Sequence, residues 1–143
     1  MTNSLTKPSV IFNEKIAPAY NEYLSDPKNK RLANILAAAL DHHAEWTFQY
    51  YKENDPSRLV GVNNPMAFRE ATFGKCPATQ MMWDLAEAQK HLLLTREWRT
   101  PKLVHTNSNP YSLHKDELWV DPYNRPFLPE ATAAMEYWKN WPG

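Results

Sequence analysis

The sequence predicts a mainly α domain: a bundle of four to five helices with a small C-terminal β-hairpin and a proline-rich extended segment. Three observations predict it. Apolar residues recur at three- and four-residue steps through most of 9–100. Asn-Pro and Asp-Pro steps stand where those periods begin and end. Beyond residue 100, where six of the twelve prolines fall, the period drops to two and every segment is short. At 143 residues, one domain over 1–143 is expected, with a helical core about 9–100 and an irregular hairpin plus terminal helix about 101–143.

The first helix is predicted from Ser9, as N-cap, to Leu24, with Phe12, Ile16, Tyr20 and Tyr23 on one face; Pro18 either kinks it or marks its start, with the earlier residues extended. Ser25-Asp26-Pro27 then caps and opens a helix about Lys28 to Glu53, whose stripe is Leu32, Leu36, Ala39, His43, Trp46 and Tyr50. Asn63-Asn64-Pro65 caps a third helix over 65–75, with Met66, Phe68, Ala71 and Phe73 apolar. A fourth, about Ala78 to Arg96, has Met81, Leu85, Ala88 and Leu92 on one face and Trp83 and Leu94 nearly opposite. Apolar on most sides, it belongs at the centre. Leu103 to Thr106 and Leu118 to Val120 are strand candidates, Asn107 to Pro110 a turn, and Tyr111 to Leu113 a middle strand. Asp121 to Pro129 is expected to lie extended on the surface. Pro129 then opens a last helix to Trp141 that packs through Ala133, Tyr137 and Trp141, with Ala134 and Trp138 adjoining.

Composition excludes several functions. Sixteen Lys plus Arg balance sixteen Asp plus Glu, leaving no basic field to drive broad polyanion binding. Eighteen aromatics suffice for a core without disulfides or metals. The single cysteine, Cys76, cannot close an internal disulfide, and with no signal-peptide pattern the expected compartment is the cytoplasm. The longest apolar run, Ile35 to Leu40, is far short of the ~20 residues that span a bilayer. Three glycines and no phosphate-loop or Cys-x-x-Cys pattern leave no cofactor to assign.

A few side chains remain as candidates for chemistry. Asp84, Glu87 and His91 fall within about 60° of arc on the fourth helix. Asp41, His42, His43 and Glu45 on the second helix are a possible other half. Carboxylate and imidazole facing each other across two helices suit acid–base work or metal binding. No Glu-x-x-His occurs, so no metal-ligand set is assigned, and a core role for His43 and an ion pair for His91 compete with the catalytic reading. Cys76 precedes Pro77 at a helix N-terminus, where the dipole favours a thiolate. Lys90, Arg96 and Arg99, with Trp98 among them, form the nearest approach to a nucleic-acid-binding patch. The Trp and Tyr surplus of the tail suits a protein interface or, equally, a cover for a small helical core.

In Asp84-Leu85-Ala86-Glu87-Ala88-Gln89-Lys90-His91, His42-His43-Ala44-Glu45-Trp46 and Asp55-Pro56-Ser57-Arg58-Leu59 the chain resembles small uncharacterised bacterial helical proteins, some carried on mobile gene cassettes. The likeness spans about residues 10–100 and implies a helical fold but no activity. The expected role is a non-enzymatic accessory or protein-interaction domain, with a protein partner or self-association as a homodimer. The alternatives are an acid–base or metal-assisted enzyme with a cleft between the second and fourth helices, and a nucleic-acid-associated helical domain.

Overall fold

A computed structural model describes residues 5–94 and 110–141, the side chains of 91–94 excepted. α1 (Pro8–Ile11), a π turn (Phe12–Ile16) and α2 (Ala17–Ser25) run on as one helix. α3 (Lys30–Asn54), α4 (Pro65–Lys75) and α5 (Pro77–Leu94) complete the N-terminal part. β1 (Tyr111–His114), β2 (Glu117–Val120) and β3 (Arg125–Pro126) form a small antiparallel sheet, followed by α6 (Phe127–Lys139). The chain is thus mainly α with a C-terminal hairpin, the predicted class. No helix among the described residues is long and apolar enough to cross a membrane.

Most helix boundaries trace to local chemistry. The first helix begins two residues earlier than expected, with Pro8 at its first position and Lys7, not Ser9, as an N-cap without a side-chain bond. Pro18 does not break it. Lacking an N–H for the carbonyl of residue 14, it follows a widened turn in which the Ala17 N–H bonds the Phe12 carbonyl, five residues back. α3 starts at Lys30 because Asn29, rather than the Ser25-Asp26-Pro27 step, supplies the cap: its Oδ1 accepts from the Leu32 N–H at 3.1 Å. α4 begins where Asn64-Pro65 predicts, with Asn64 Oδ1 accepting from the Ala67 N–H at 2.8 Å.

α5 takes the central position its sequence implied, packing on α3, α4 and α6. It buries Met81, Met82, Leu85 and Ala88, and Trp83 on its other side meets Phe73 of α4 at 5.9 Å. α3 is buried more widely than one stripe: Ala33, Ala37, Leu40, Ala44 and Phe48 join Leu32, Leu36 and His43, because α2, α4, α5 and α6 all pack on it. Trp46 and Tyr50, expected on the buried stripe, are only half-buried.

The C-terminal third departs most from expectation. The candidate strand Leu103–Thr106 and the turn residues 107–109 lie outside the described residues. Tyr111–Leu113 belongs to β1, which is an edge of the described sheet, and β2 is its middle strand. The hairpin turns at Lys115 and Asp116, with φ of 50° and 66°; two left-handed residues give the twist that a two-residue loop needs. Asp121 to Pro129 is not an extended strap. It makes a short turn at Asp121–Tyr123, a left-handed Asn124, β3, and then α6, which begins at Phe127, two residues before Pro129. Pro129 therefore sits in the first turn, where a missing N–H is harmless. The buried face of α6 is Phe127, Ala131, Ala134 and Trp138, while Ala133 is exposed and Tyr137 and Trp141 are half-buried. Phe127 meets Tyr23 at 5.1 Å and Tyr111 at 6.1 Å, and Tyr111 donates to Asn34 Oδ1 at 2.6 Å, which seats the hairpin over one end of the bundle.

Candidate functional site

Neighbouring residues on a helix point about 100° apart, so α3 sends its candidate side chains to different surroundings. His42 and Glu45 are exposed and, with Leu5, Trp46 and Gln49, line a shallow hollow on the outer face. Trp46 Nε1 there donates to the Thr6 carbonyl at 2.8 Å. Asp41 turns inward and is 4% exposed; Arg69 of α4 grips it through Nε at 2.9 Å and Nη2 at 3.3 Å. Burial pushes the Asp41 carboxyl above its ordinary pKa, and the guanidinium opposes this. Arg69 Nη2 also stands 3.6 Å from Glu45.

On α5, Asp84 is buried and accepts a hydrogen bond from the Tyr123 hydroxyl. Burial first, and then that bond and the carboxylate charge, push the Tyr123 phenol up. Glu87 is half-buried and pairs with Lys90 one turn on, at 3.1 Å. The His91 side chain and all of Arg96, Trp98 and Arg99 lie outside the described residues. Among the described residues no hydrogen bond or ion pair joins Asp84 or Glu87 to His42, His43 or Glu45, and no three His, Cys, Asp or Glu gather to hold a metal ion. Cys76 is half-buried, and burial pushes its thiol up, away from the thiolate that a helix N-terminus favours. Replacing Tyr123 with Phe is expected to lower stability by about 1–2 kcal/mol, the usual range for a lost bond to a buried polar group. Urea titration checks this, and a change under about 0.5 kcal/mol means that the Tyr123 bond to Asp84 adds nothing to the fold.

His43 belongs to a separate concavity. The start of α1, the second half of α3, the turn at Asp55–Arg58 and the end of α6 enclose about 530 Å³, a volume typical of small-molecule sites (roughly 300–1,000 Å³). Phe12, Tyr50, Tyr51, Trp138 and Trp141 supply aromatic walls. His43 and Thr47, one helical turn apart and 3% and 1% exposed, lie beneath. The His43 ring meets Phe12 edge-on at 6.0 Å and Trp138 at 5.3 Å. Its Nδ1 and the Thr47 Oγ1 are buried without a hydrogen-bond partner, a state that costs about 1–3 kcal/mol per group. Burial pushes the His43 pKa down to about 4, so the ring is neutral near pH 7.

Lys7, Arg58, Lys139 and Asp55 stand around the mouth. Arg58 is 3.4 Å from Asp55 and lies 5.5 Å over the Tyr51 ring. The Ser57 hydroxyl, and then Arg58, hold the Asp55 carboxyl below its ordinary pKa. Lys7 and Lys139 have no ion-pair partner among the described residues. A neutral imidazole and a hydroxyl can orient a guest, and aromatic faces can hold it; Asp55, the one carboxylate among the described lining residues, is already engaged. Thr47 was not named from the sequence, and Phe12 and Trp138 were read there as packing or interface residues rather than as part of a site. The available signal was the run His43, Thr47, Tyr50 and Asn54, which repeats polar tips at helical steps along a face otherwise written for the core. No protein-family model, curated protein or solved structure matches this chain, so the cavity is read from its own residues alone.

Proposed function

We propose that this chain is a non-enzymatic accessory domain of the cytoplasm that binds a small molecule in the cavity between α1, α3 and α6. The observation that carries this reading is the pair of buried, unpartnered polar atoms, His43 Nδ1 and Thr47 Oγ1, on side chains lining an aromatic-walled cavity. A guest that supplies their partners stabilises the folded state, which is the thermodynamic meaning of binding. A protein partner or a second copy is the occupant that composition alone suggested. Size favours the small molecule, since a hollow of about 530 Å³ falls within the roughly 300–1,000 Å³ of small-molecule sites.

The test is an amide-resolved NMR titration with a fragment library. Shifts are expected to cluster at residues 7–13, 43–55 and 138–141 and to leave Asp84 and Glu87 unmoved. Hits gathered around His42 and Glu45, or around Asp84 and Glu87, overturn the reading and return attention to acid–base chemistry.

A further inference from the structure

Resting on that reading of the cavity as a binding site, we propose that the ligand is a small planar aromatic carboxylate. Its ring lies against the aromatic wall to which Phe12 and Trp138 contribute, a polar substituent reaches His43 and Thr47, and the carboxylate sits at the mouth beside Lys7 and Lys139.

Shape and wall chemistry argue for the ring. Phe12 and Trp138 already contact His43 edge-on from α1's continuation and from α6, and a flat guest offers each of them the offset or edge contact that aromatic pairs prefer. Floor chemistry argues for a polar tip. His43 and Thr47 each combine donor and acceptor capacity, and neither His43 Nδ1 nor Thr47 Oγ1 has a hydrogen-bond partner among the described residues. A phenolic hydroxyl, which donates and accepts at one oxygen, suits either of them.

Charge decides the third feature. α3 and α6 both end at this mouth, and each helix C-terminus carries about half a negative charge; the N-terminal end of the helix that starts at Pro8 carries about half a positive one. The three dipoles leave roughly half a negative charge. Against this stand the full charges of Lys7 and Lys139, since Arg58 and Asp55 neutralise each other. The balance favours an anion, held at an exposed rim where each lysine keeps its solvation and reaches inward.

The experiment is isothermal titration calorimetry with para-hydroxybenzoate, para-hydroxybenzyl alcohol, para-hydroxybenzylamine and unsubstituted benzoate. These four separate charge from shape and the polar tip from the ring. The acid is expected to bind at least about tenfold tighter than the alcohol and the amine. The exposed double variant K7Q/K139Q, its fold checked by circular dichroism, is expected to weaken the acid about tenfold and leave the alcohol unchanged. H43L is expected to bring para-hydroxybenzoate down to the affinity of benzoate. Alcohol or amine binding as tightly as the acid overturns the assignment of an anionic ligand while the binding site stands, and so does a double lysine variant that binds the acid like wild type. If none of the four binds, this inference fails, and the NMR screen then shows whether the cavity takes other fragments.

Discussion

Replacing Arg69 with Met is expected to destabilise the protein by about 3–5 kcal/mol, because it strands a buried carboxylate, and to lower Tm by roughly 10 °C or more. Asp41 is almost fully enclosed, and Arg69 supplies both side-chain donors that reach it, at 2.9 and 3.3 Å, besides touching the Asp41 carbonyl at 3.4 Å. The loss has a characteristic pH dependence. Burial already raises the Asp41 pKa and Arg69 is the main force opposing it. Without Arg69 the folded carboxyl holds its proton to higher pH than the unfolded one, so the folded state binds more protons and stability falls as pH rises. The deficit of R69M is therefore greatest near pH 7–8 and narrows toward pH 4. Replacing both partners, as D41L with R69M, recovers most of the loss, since an apolar pair of similar volume needs no solvation. Urea titrations of the two variants across that pH range check all three statements; a single-variant loss under about 1 kcal/mol, or one flat with pH, shows that the pair is solvated.

That ion pair also marks where the sequence stops being readable. One helix start set by adjacent residues was legible: Asn64-Pro65 caps and opens α4 within one turn of chain, whereas the starts of the first helix, α3 and α6 each lie two residues from the expected position. The centrality of α5 was legible too, because an all-round apolar helix has no other stable place. Features decided by distant partners were not. Asp41 and Arg69 are 28 residues apart and Tyr123 and Asp84 are 39 apart, and nothing local says which of many charged or phenolic groups will meet. The hairpin turn was missed for a different reason. Lys115 and Asp116 are not the Asn-Gly type that predisposes to left-handed φ; the sheet register and the Lys28 to Asp116 contact at 3.1 Å accompany it instead. The expected cleft illustrates a third limit. Spacing puts Asp84 and Glu87 near one face of α5, yet Asp84 is buried against Tyr123 while Glu87 pairs with Lys90. Periodicity gives the direction in which a side chain leaves its helix and says nothing of what covers it. His43 was singled out from α3, and its cavity came into view only when α1 and α6 were in place.

His43 also gives the second large effect, on stability against pH. Its folded pKa is about 4 against an ordinary 6.5, so between those values the unfolded chain holds a proton that the folded chain excludes. The stabilisation is therefore fully present above about pH 6.5 and is lost as pH falls toward 4, at about 1.4 kcal/mol per unit, or about 3 kcal/mol over the window. The groups that face the ring explain the sign. Phe12 comes from the π turn and Trp138 from α6, while Thr47 lies one turn along α3. Lys7 and Lys139 at the mouth add positive charge, and Asp55 is committed to Arg58 and Ser57. Among the described residues lining the cavity no carboxylate is left to welcome an imidazolium. Replacing His43 with Leu removes the titrating group at similar volume and also removes the unpartnered Nδ1, so at pH 7.5 the variant is expected within about 1 kcal/mol of wild type. Every other acid titrates alike in both proteins. The difference between their stabilities thus isolates His43, and H43L is expected to become the more stable by up to about 3 kcal/mol as pH reaches 4. Parallel curves mean that the folded ring accepts a proton as freely as the unfolded one. The cavity floor is then wet, and its two polar atoms do not await a guest.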